Sequence, residues 1–281
     1  MAQDQVAAQR GYHHSLYQAL WDRPAAEEVI ARTRLRGTDL LGHFGAAGCD
    51  LIVDAIAARA QGRPVRLAEF GSGIGGVLRY VVPALTRERN IEVEFAVGCE
   101  LVADHCRLAR EIGTDGTPCF QVGTSVAELG VRSGVFDVVF ATGSVSHFAD
   151  MAATLEQAHR ILRPGGLFTC TEEVSLAGPA GEPSSEFRAL HPADVFTTAT
   201  IAERRAQLNT AGFTGVVVRD LSEWAAALLH RRLLALRVQR AVVAEIYGAD
   251  EAQRISDTLA VARTEIVEGR LTPAQVIAVA G

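Results

Sequence analysis

The residues with the clearest chemical potential form a glycine-rich loop, EFGSGIGG at 69–76, where an apolar run passes into a helical pattern. Glycines bring backbone N–H groups close to a ligand, because no Cβ atom blocks its approach and unusual dihedrals are allowed. Gly71, Gly73 and Gly76 fit the GxGxxG spacing of dinucleotide sites. A glycine turn that binds nothing fits equally well, so the spacing alone does not choose a ligand.

Two carboxylates flank this loop and bear on that choice. Glu69 lies two residues before the first glycine, where it would repel a pyrophosphate and attract a positively charged group. Glu100 ends the next predicted strand, where a carboxylate can accept hydrogen bonds from both ribose hydroxyls. A solvated helix N-cap explains the position of Glu100 as well. Together the pair favours a cationic nucleoside over a dinucleotide.

An alternation of strand and helix patterns must position these residues. Apolar runs predict strands at 65–70, 91–100, 117–125, 134–143 and 167–174, with helical patterns between most of them. The Arg163-Pro164-Gly165-Gly166 turn separates the last helix from the fifth strand, and residues 213–220 and 271–281 predict two more strands. We therefore predict an α/β fold, a doubly wound seven-stranded sheet that is mostly parallel, with an antiparallel hairpin of the last strands.

Three segments outside the sheet are expected to cover its active edge. Residues 1–60 predict an N-terminal helical lid, and residues 61–281 form the main domain. Residues 175–192 are rich in Gly, Pro and Ser, which predicts a surface loop. Apolar residues at helical spacing predict a helical cap, inserted at about 222–270.

At residues 65–175 the order of motifs resembles the class I, Rossmann-like S-adenosylmethionine-dependent methyltransferases. The matching segments are AEFGSGIGG, GCE, FDVV and LRPGG, in that order. The GSGIGG loop and an aromatic-rich leader at 12–21 are similar to small-molecule N- and C-methyltransferases, such as those for sarcosine, dimethylglycine and prenylated phenols. The resemblance implies S-adenosyl-L-methionine as the cofactor.

The resemblance also implies contacts with each part of that cofactor. Glu69 would lie near the amino group, Glu100 at the ribose and Leu101 against the adenine. The loop residues expected beside the methionyl part are Gly71, Ser72, Gly73 and Gly75.

Two further strand ends complete the implied cofactor site. Ala141, Thr142 and Gly143 would flank the methyl-bearing sulfur. Where the family usually has Gly-Asp before the adenine-edge residue, this chain has Gly123 followed by Thr124 and Ser125. A hydroxyl or a backbone amide of Thr124 or Ser125 would then contact the adenine edge.

Four side chains are candidates for catalysis. His147 follows the fourth strand and could act as a base or a hydrogen-bond partner, although relatives carry a histidine there as a structural cap. Glu172 and its neighbour Glu173 end the fifth strand, where only one of two adjacent residues is expected to face inward. His14 and Tyr17 lie on the predicted lid, where amphipathic helix packing explains them equally well.

In the cap, Trp224, His230, Arg231 and Arg232 are candidates for the walls of the acceptor pocket. Paired arginines would suit an acidic acceptor. Helical arginines commonly face solvent, so these two arginines could equally be surface residues without a role in binding.

Composition narrows the function classes. A net charge of −6 with no basic block argues against a nucleic-acid partner. No run approaches the ~20 apolar residues that cross a bilayer, and the first ten residues do not resemble a signal peptide. Five cysteines without CxxC pairing predict free core thiols and a cytoplasmic protein. No metal-ligand spacing occurs, and a homodimer is left open.

The sequence therefore predicts methyl transfer to a nitrogen, carbon or oxygen of a small-molecule acceptor, in specialised metabolism. One alternative keeps S-adenosylmethionine but uses it in a cyclase or another non-methylating enzyme. A second alternative is an NAD(P)-dependent oxidoreductase that uses the same glycine loop.

Overall fold

A computed structural model describes residues 7–8, 11–12, 39–40, 42–113 and 119–281 of the chain. His14 and Tyr17 lie outside the described residues. The strands are β1 Val65–Phe70, β2 Val93–Glu100, β3 Cys119–Gly123, β4 Phe136–Thr142, β5 Leu162–Glu172, β6 Phe213–Asp220 and β7 Ala274–Ala280. The helices are α1 Gly45–Ala60, α2 Gly76–Pro83, α3 Ala103–Ile112, α4 Met151–Ile161, α5 Ser185–Leu190, α6 Ile201–Thr210, α7 Ser222–Tyr247 and α8 Ala249–Val267.

The seven strands form one sheet in the order β3-β2-β1-β4-β5-β7-β6. Strands β1 to β5 pair in parallel, and β7 runs antiparallel between β5 and β6. The predicted doubly wound, mostly parallel sheet is confirmed. The last two strands pair antiparallel as predicted, and α7 and α8 connect them.

Two apolar layers cover the faces of the sheet. On one face, α1 buries Cys49, Ile52, Val53 and Ile56, which recur at helical spacing, in a cluster with residues of α2 and of β1, β2 and β4. On the other face, residues of α4 and α6, including Leu155 and Leu208, pack with Phe168 and Phe213. Both faces of the central strands are buried, so these strands appear in the sequence as continuous apolar runs.

Two boundaries differ from the sequence expectations. Strand β5 begins at Leu162, so Arg163 to Gly166 lie within the strand and do not precede it as a turn. The segment 175–192 contains the short helix α5 and fully buried side chains at Leu176 and Phe187. Phe187 packs the segment against residues of α7 and α8, so it is more than a surface loop.

The cap consists of α7 and α8, which pack against each other and meet at Gly248 (φ +92°). Val243, Ile246 and Tyr247 of α7 share an apolar cluster with Ile74 of the glycine loop and residues of α3. This contact fixes the cap beside the carboxyl-terminal edge of the sheet, where β1 and β2 end.

Candidate functional site

A cavity of about 610 Å³ opens at the carboxyl-terminal edge of the sheet. The order of strands reverses between β1 and β4, and such a reversal leaves a crevice where doubly wound sheets bind ligands. Loops after β1, β2, β3 and β4 form one side, and the cap helices form the other. The predicted site residues that line the cavity are Glu69, Gly71, Ser72, Gly73, Glu100, Leu101, Thr124, Ser125, Thr142, Gly143 and His147.

The glycine loop is held tightly against the end of β4. Gly71 has a φ of +72°, and a Cβ at this position would lie 2.5 Å from the Cβ of Ser144. The Ser144 hydroxyl donates to the carbonyl of Phe70 at 2.8 Å, which ties the ends of β1 and β4 together. At Gly73 (φ +51°), no atom lies within 4 Å of the place that a Cβ would take. The backbone at Gly73 is therefore open to a ligand.

The third glycine of the GxGxxG spacing has a packing role. A Cβ on Gly76 would lie 2.1 Å from the carbonyl oxygen of Asp39. Arg79 of α2 donates from Nε and Nη2 to the Asp39 carboxylate at 3.1 and 2.9 Å. Asp39 and Leu40 line the cavity, although no sequence motif marks them. Gly76 thus admits the segment at 39–40 beside the loop.

Glu100 is held as a carboxylate by several donors. Its oxygens accept from the backbone amides of Gly73 and Val102, both at 2.8 Å, and Nδ1 of His105 lies 3.4 Å away. Burial alone would raise the pKa of Glu100, but His105 and the two amides outweigh it and lower the pKa. A carboxylate has about four acceptor positions, so Glu100 can still accept from a ligand hydroxyl. The alternative of a solvated helix N-cap does not fit, because Val102 is the N-cap residue of α3 and Glu100 is buried.

Glu69 differs from Glu100 in that its pKa is raised and its carboxyl is not held by donors from the described part of the chain. Its side chain is 1% exposed and lines the cavity, and Oε2 has no hydrogen-bond partner among the described residues. Burial, and next the charge of Glu100, raise the pKa of Glu69 well above its ordinary value, and Arg79 opposes this only in part. A buried carboxyl without a partner is costly. A cation or a hydrogen-bond donor in the cavity would relieve that cost.

The end of β4 supplies part of the expected backbone. Gly143 (φ +67°) and Thr142 line the cavity, and the Thr142 hydroxyl lies 2.6 Å from that of Thr171. Ala141 is fully buried in the core and does not line the cavity, since alternate residues of a strand face opposite sides. Gly75 is also absent from the lining, and its amide donates to the carbonyl of Ser72 to close the loop.

A wall of aromatic and imidazole rings lies near His147. Phe196 lies 4.2 Å from the His147 ring and 5.4 Å from the Tyr12 ring, measured between centroids. His191 stacks on Phe187 at 4.2 Å and lies edge-on to Phe196. Burial, and next the neighbouring His43, lower the pKa of His191 to about 3, so this imidazole is neutral. The ring wall therefore offers apolar faces with neutral polar edges.

The two adjacent glutamates at the end of β5 are both buried but contact different elements, α6 for Glu172 and the segment before α1 for Glu173. Glu172 accepts from Nε of Arg204 at 2.7 Å and does not line the cavity, which argues against its predicted role in catalysis. Burial raises the pKa of Glu172, and Arg204 opposes that effect. Glu173 accepts from the backbone amide of His43 at 2.6 Å.

Among the cap residues named from the sequence, Arg232 lines the cavity, and Trp224, His230 and Arg231 do not. Arg232 donates to the backbone carbonyls of Gly42 and His43, so it fixes the segment before α1. Its guanidinium thus already binds backbone carbonyls of the protein, which weakens the case for an acidic acceptor.

The part of the chain that the structure describes contains no group of three His, Cys, Asp or Glu side chains arranged to hold a metal ion. Within the same residues, no helix is long and apolar enough to span a membrane.

Comparison with known proteins finds a family model that matches part of the sheet and its loops. Residues 68–168 match the family model of the methyltransferase domain. A highly reducing polyketide synthase of Strobilurus tenacellus is 27% identical over 123 residues, which cover 43% of this chain and 4% of that protein. A 27-O-demethylrifamycin SV methyltransferase of Amycolatopsis mediterranei (strain S699) is 31% identical over 98 residues, which cover 34% of this chain and 36% of that protein. The chain thus spans well under half the length of these curated relatives.

Solved structures share the fold over a longer stretch. A phosphoethanolamine N-methyltransferase 2 of Haemonchus contortus, in complex with S-adenosyl-L-methionine, superposes with a TM-score of 0.74 at 15% identity. The superposition covers 94% of this chain and 59% of that chain. The region that matches the family model begins in β1 and ends in β5, so it contains the glycine loop and both cavity carboxylates.

Proposed function

We propose an enzyme that transfers a methyl group from S-adenosyl-L-methionine to a small-molecule acceptor, and the match of residues 68–168 to the model of the methyltransferase domain supports this proposal. The observation that carries the proposal is the unpartnered carboxyl of Glu69 at the cavity wall. An amino-acid ammonium would supply the opposite charge that this carboxyl lacks, whereas a pyrophosphate would add repulsion. Glu69 therefore disfavours the NAD(P) alternative.

The residues around Glu69 fit the other parts of this cofactor. Glu100 would accept hydrogen bonds from the ribose hydroxyls, and the open backbone at Gly73 would lie against the methionyl chain. Leu101 would pack on the adenine, with Thr124 and Ser125 at the adenine edge. Thr142 and Gly143 would lie beside the sulfur. When bound, the cofactor supplies an electrophilic methyl group on a cationic sulfur.

The chain has to align an acceptor with that methyl group and exclude water. The ring wall of Tyr12, His147, His191 and Phe196 would bind the acceptor through apolar faces, with His147 as a hydrogen-bond partner. His14 and Tyr17 stay predictions as contacts of the acceptor or the cofactor. A mostly uncharged wall suits a neutral metabolite of specialised metabolism.

The proposal extends to partners and location. The net charge of −6 disfavours nucleic acid as an acceptor. All five cysteines are free thiols, which suits a reducing compartment, and we place the enzyme in the cytoplasm without a membrane partner. A homodimer is compatible with this proposal and can be tested by light scattering.

Calorimetric titration tests the cofactor first. We expect S-adenosylhomocysteine to bind and NADH to give no heat, and the reverse result would support an oxidoreductase. A second assay uses radiolabelled methyl groups and a panel of phenols, alcohols, amines and carboxylates. Cofactor binding without label in any product would instead favour the cyclase alternative.

A further inference from the structure

Glu173 and His43 form a carboxylate–imidazole pair that no sequence motif marks. Oε2 of Glu173 accepts from the backbone amide of His43 at 2.6 Å and lies 3.4 Å from Nδ1 of the same residue. Oε1 lies 3.4 Å from the amide of Phe44, which is the N-cap residue of α1. Glu173 thus holds the backbone of His43 by a hydrogen bond and lies in contact with its ring, without a hydrogen bond to it. Distances between catalytic groups are often long in ligand-free proteins and shorten in the complex.

Three glycines confine this carboxylate. A Cβ on Gly42 would lie 3.0 Å from Oε1 of Glu173, and a Cβ on Gly143 would lie 3.2 Å from Oε2. A Cβ on Gly48 would lie 3.6 Å from Oε1. Glu173 is 2% exposed and does not line the cavity, whereas His43 does. The carboxylate therefore lies behind His43 and fixes its position.

The other ring nitrogen of His43 has no partner. Nε2 is buried and makes no hydrogen bond to any described residue. His43 follows Gly42, which is so close to Gly143 that a Cβ there would lie 3.0 Å from the Gly42 Cα. Gly143 directly follows β4, beside the glycine loop, where the proposed function puts the methyl group. An unpartnered nitrogen at this point needs a donor from the occupant of the cavity.

We propose that His43 is the general base of methyl transfer to a hydroxyl acceptor, and that Glu173 is its positioning residue. This inference rests on the proposed function. Nε2 takes the proton of the acceptor hydroxyl while the oxygen forms a bond to the methyl carbon. The carbon–sulfur bond breaks, and its electron pair stays on sulfur, which becomes an uncharged thioether. The proton on His43 later passes to water.

The choice of His43 over His147 follows from their surroundings. His147 lies within the ring wall, 4.2 Å from Phe196 and 6.2 Å from Tyr12 by ring centroid, whereas His43 has the carboxylate of Glu173 3.4 Å from its Nδ1. Among the described residues, the charged or titratable groups that face His43 are Glu173, directly after β5, Arg232 from α7 and His191 from the segment after α5. Of these, Glu173 has a carboxylate oxygen 3.4 Å from Nδ1, and a hydrogen bond from Nδ1 to that oxygen would leave Nε2 free as a base.

Nitrogen-15 spectra of the whole protein, saturated with S-adenosylhomocysteine, test the inference without an acceptor. The neutral ring of His43, assigned with the H43N variant, should carry its proton on Nδ1 and a lone pair on Nε2. A neutral ring protonated on Nε2 would overturn the proposal, because no lone pair would then face the acceptor.

Kinetics with an acceptor from the labelled-methyl panel supply the second test. H43N keeps an amide donor for Glu173 but removes the basic nitrogen, so kcat should fall by about 10²-fold or more. The KM for the cofactor should stay unchanged. E173Q should lower kcat by a smaller factor and change the acid limb of its pH profile. The exposed His230 of α7 offers a matched control, and H230N should behave as the wild type.

The results separate this inference from the proposed function. If S-adenosylhomocysteine does not bind the wild type, the proposed function fails. If it binds and H43N keeps at least half of the wild-type kcat, His43 is not the base. A larger loss of kcat in H147N than in H43N would give that role to His147, and an exclusive preference for amines would overturn the hydroxyl acceptor.

Discussion

The substitution E69Q should weaken binding of S-adenosylhomocysteine and stabilise the free protein. Glutamine keeps the size of the side chain but cannot form an ion pair with the ligand ammonium. Loss of one member of a buried charge pair costs about 2–5 kcal/mol. Because burial raises the pKa of Glu69 well above its ordinary value, removal of its proton on binding offsets part of that contribution, at about 1.4 kcal/mol for each pH unit by which this pKa exceeds the working pH. The lower end of the range, about 2 kcal/mol or 30-fold in Kd, is therefore expected.

The raised pKa of Glu69 also determines how ligand affinity and protein stability change with pH. Free Glu69 keeps its proton above its ordinary pKa, and an ammonium beside it would favour the carboxylate, so binding releases up to one proton. Affinity should rise with pH by up to about tenfold per unit, between the pKa of Glu69 in the complex and that in the free protein. Without ligand, stability should fall as pH rises through that raised pKa. E69Q should remove both dependences and unfold at a higher temperature.

Calorimetry between about pH 5.5 and 7.5, in two buffers of different ionisation enthalpy, measures affinity and proton release together. Adenosine lacks the ammonium and should bind the wild type and E69Q equally, which makes it the matched control. If E69Q binds S-adenosylhomocysteine within threefold of the wild type, or if no proton is released, the electrostatic role of Glu69 is refuted.

Three further substitutions test other parts of the site. G71A should abolish cofactor binding and should lower the free energy of unfolding by more than G134A does. Both positions have a positive φ, but only a Cβ at position 71 would meet Ser144, at 2.5 Å. Denaturant titration of both variants measures this difference. R204M should cost about 3–5 kcal/mol of stability because it leaves Glu172 buried without its cation, and E172L/R204M should recover most of the loss. Because the pKa of His191 is about 3, the free energy of unfolding of the wild type should fall by about 1.4 kcal/mol per pH unit as the pH drops below about 6.5. In urea titrations, H191F should lose the contribution of His191 to this pH dependence.

Local sequence was enough to predict the sheet and the first half of the site. The central strands are buried on both faces, so they stand out as apolar runs, and the loops that follow them carry Glu69, Gly71 and Glu100 within a few residues of each strand end. Parallel strands bring those ends to one edge of the sheet. The predicted cofactor residues line the cavity, apart from Ala141 and Gly75, whose orientation depends on strand alternation and on the closing of the loop.

The acceptor side could not be predicted in this way. Glu172 and Arg204 form a pair across 32 residues of sequence, and Glu173 contacts His43 across 130 residues. No periodicity or short motif encodes such contacts. They depend on where α1 and α6 pack against the sheet, and this is why Glu172 was expected to reach a substrate and His43 was not singled out at all.

The place of β7 within the sheet has a consequence for how the chain acquires its structure. Strands β1 to β5 can pair in parallel within residues 65–172, but β5 then exposes an open edge until residues 274–280 insert beside it, as in the pairing of Leu167 with Val279. Closing so long a stretch of chain is slow, and an unsatisfied strand edge recruits other chains. Refolding should therefore show early hydrogen-exchange protection in β1 and β4, late protection in β6 and β7, and aggregation that increases with protein concentration in the interval between them.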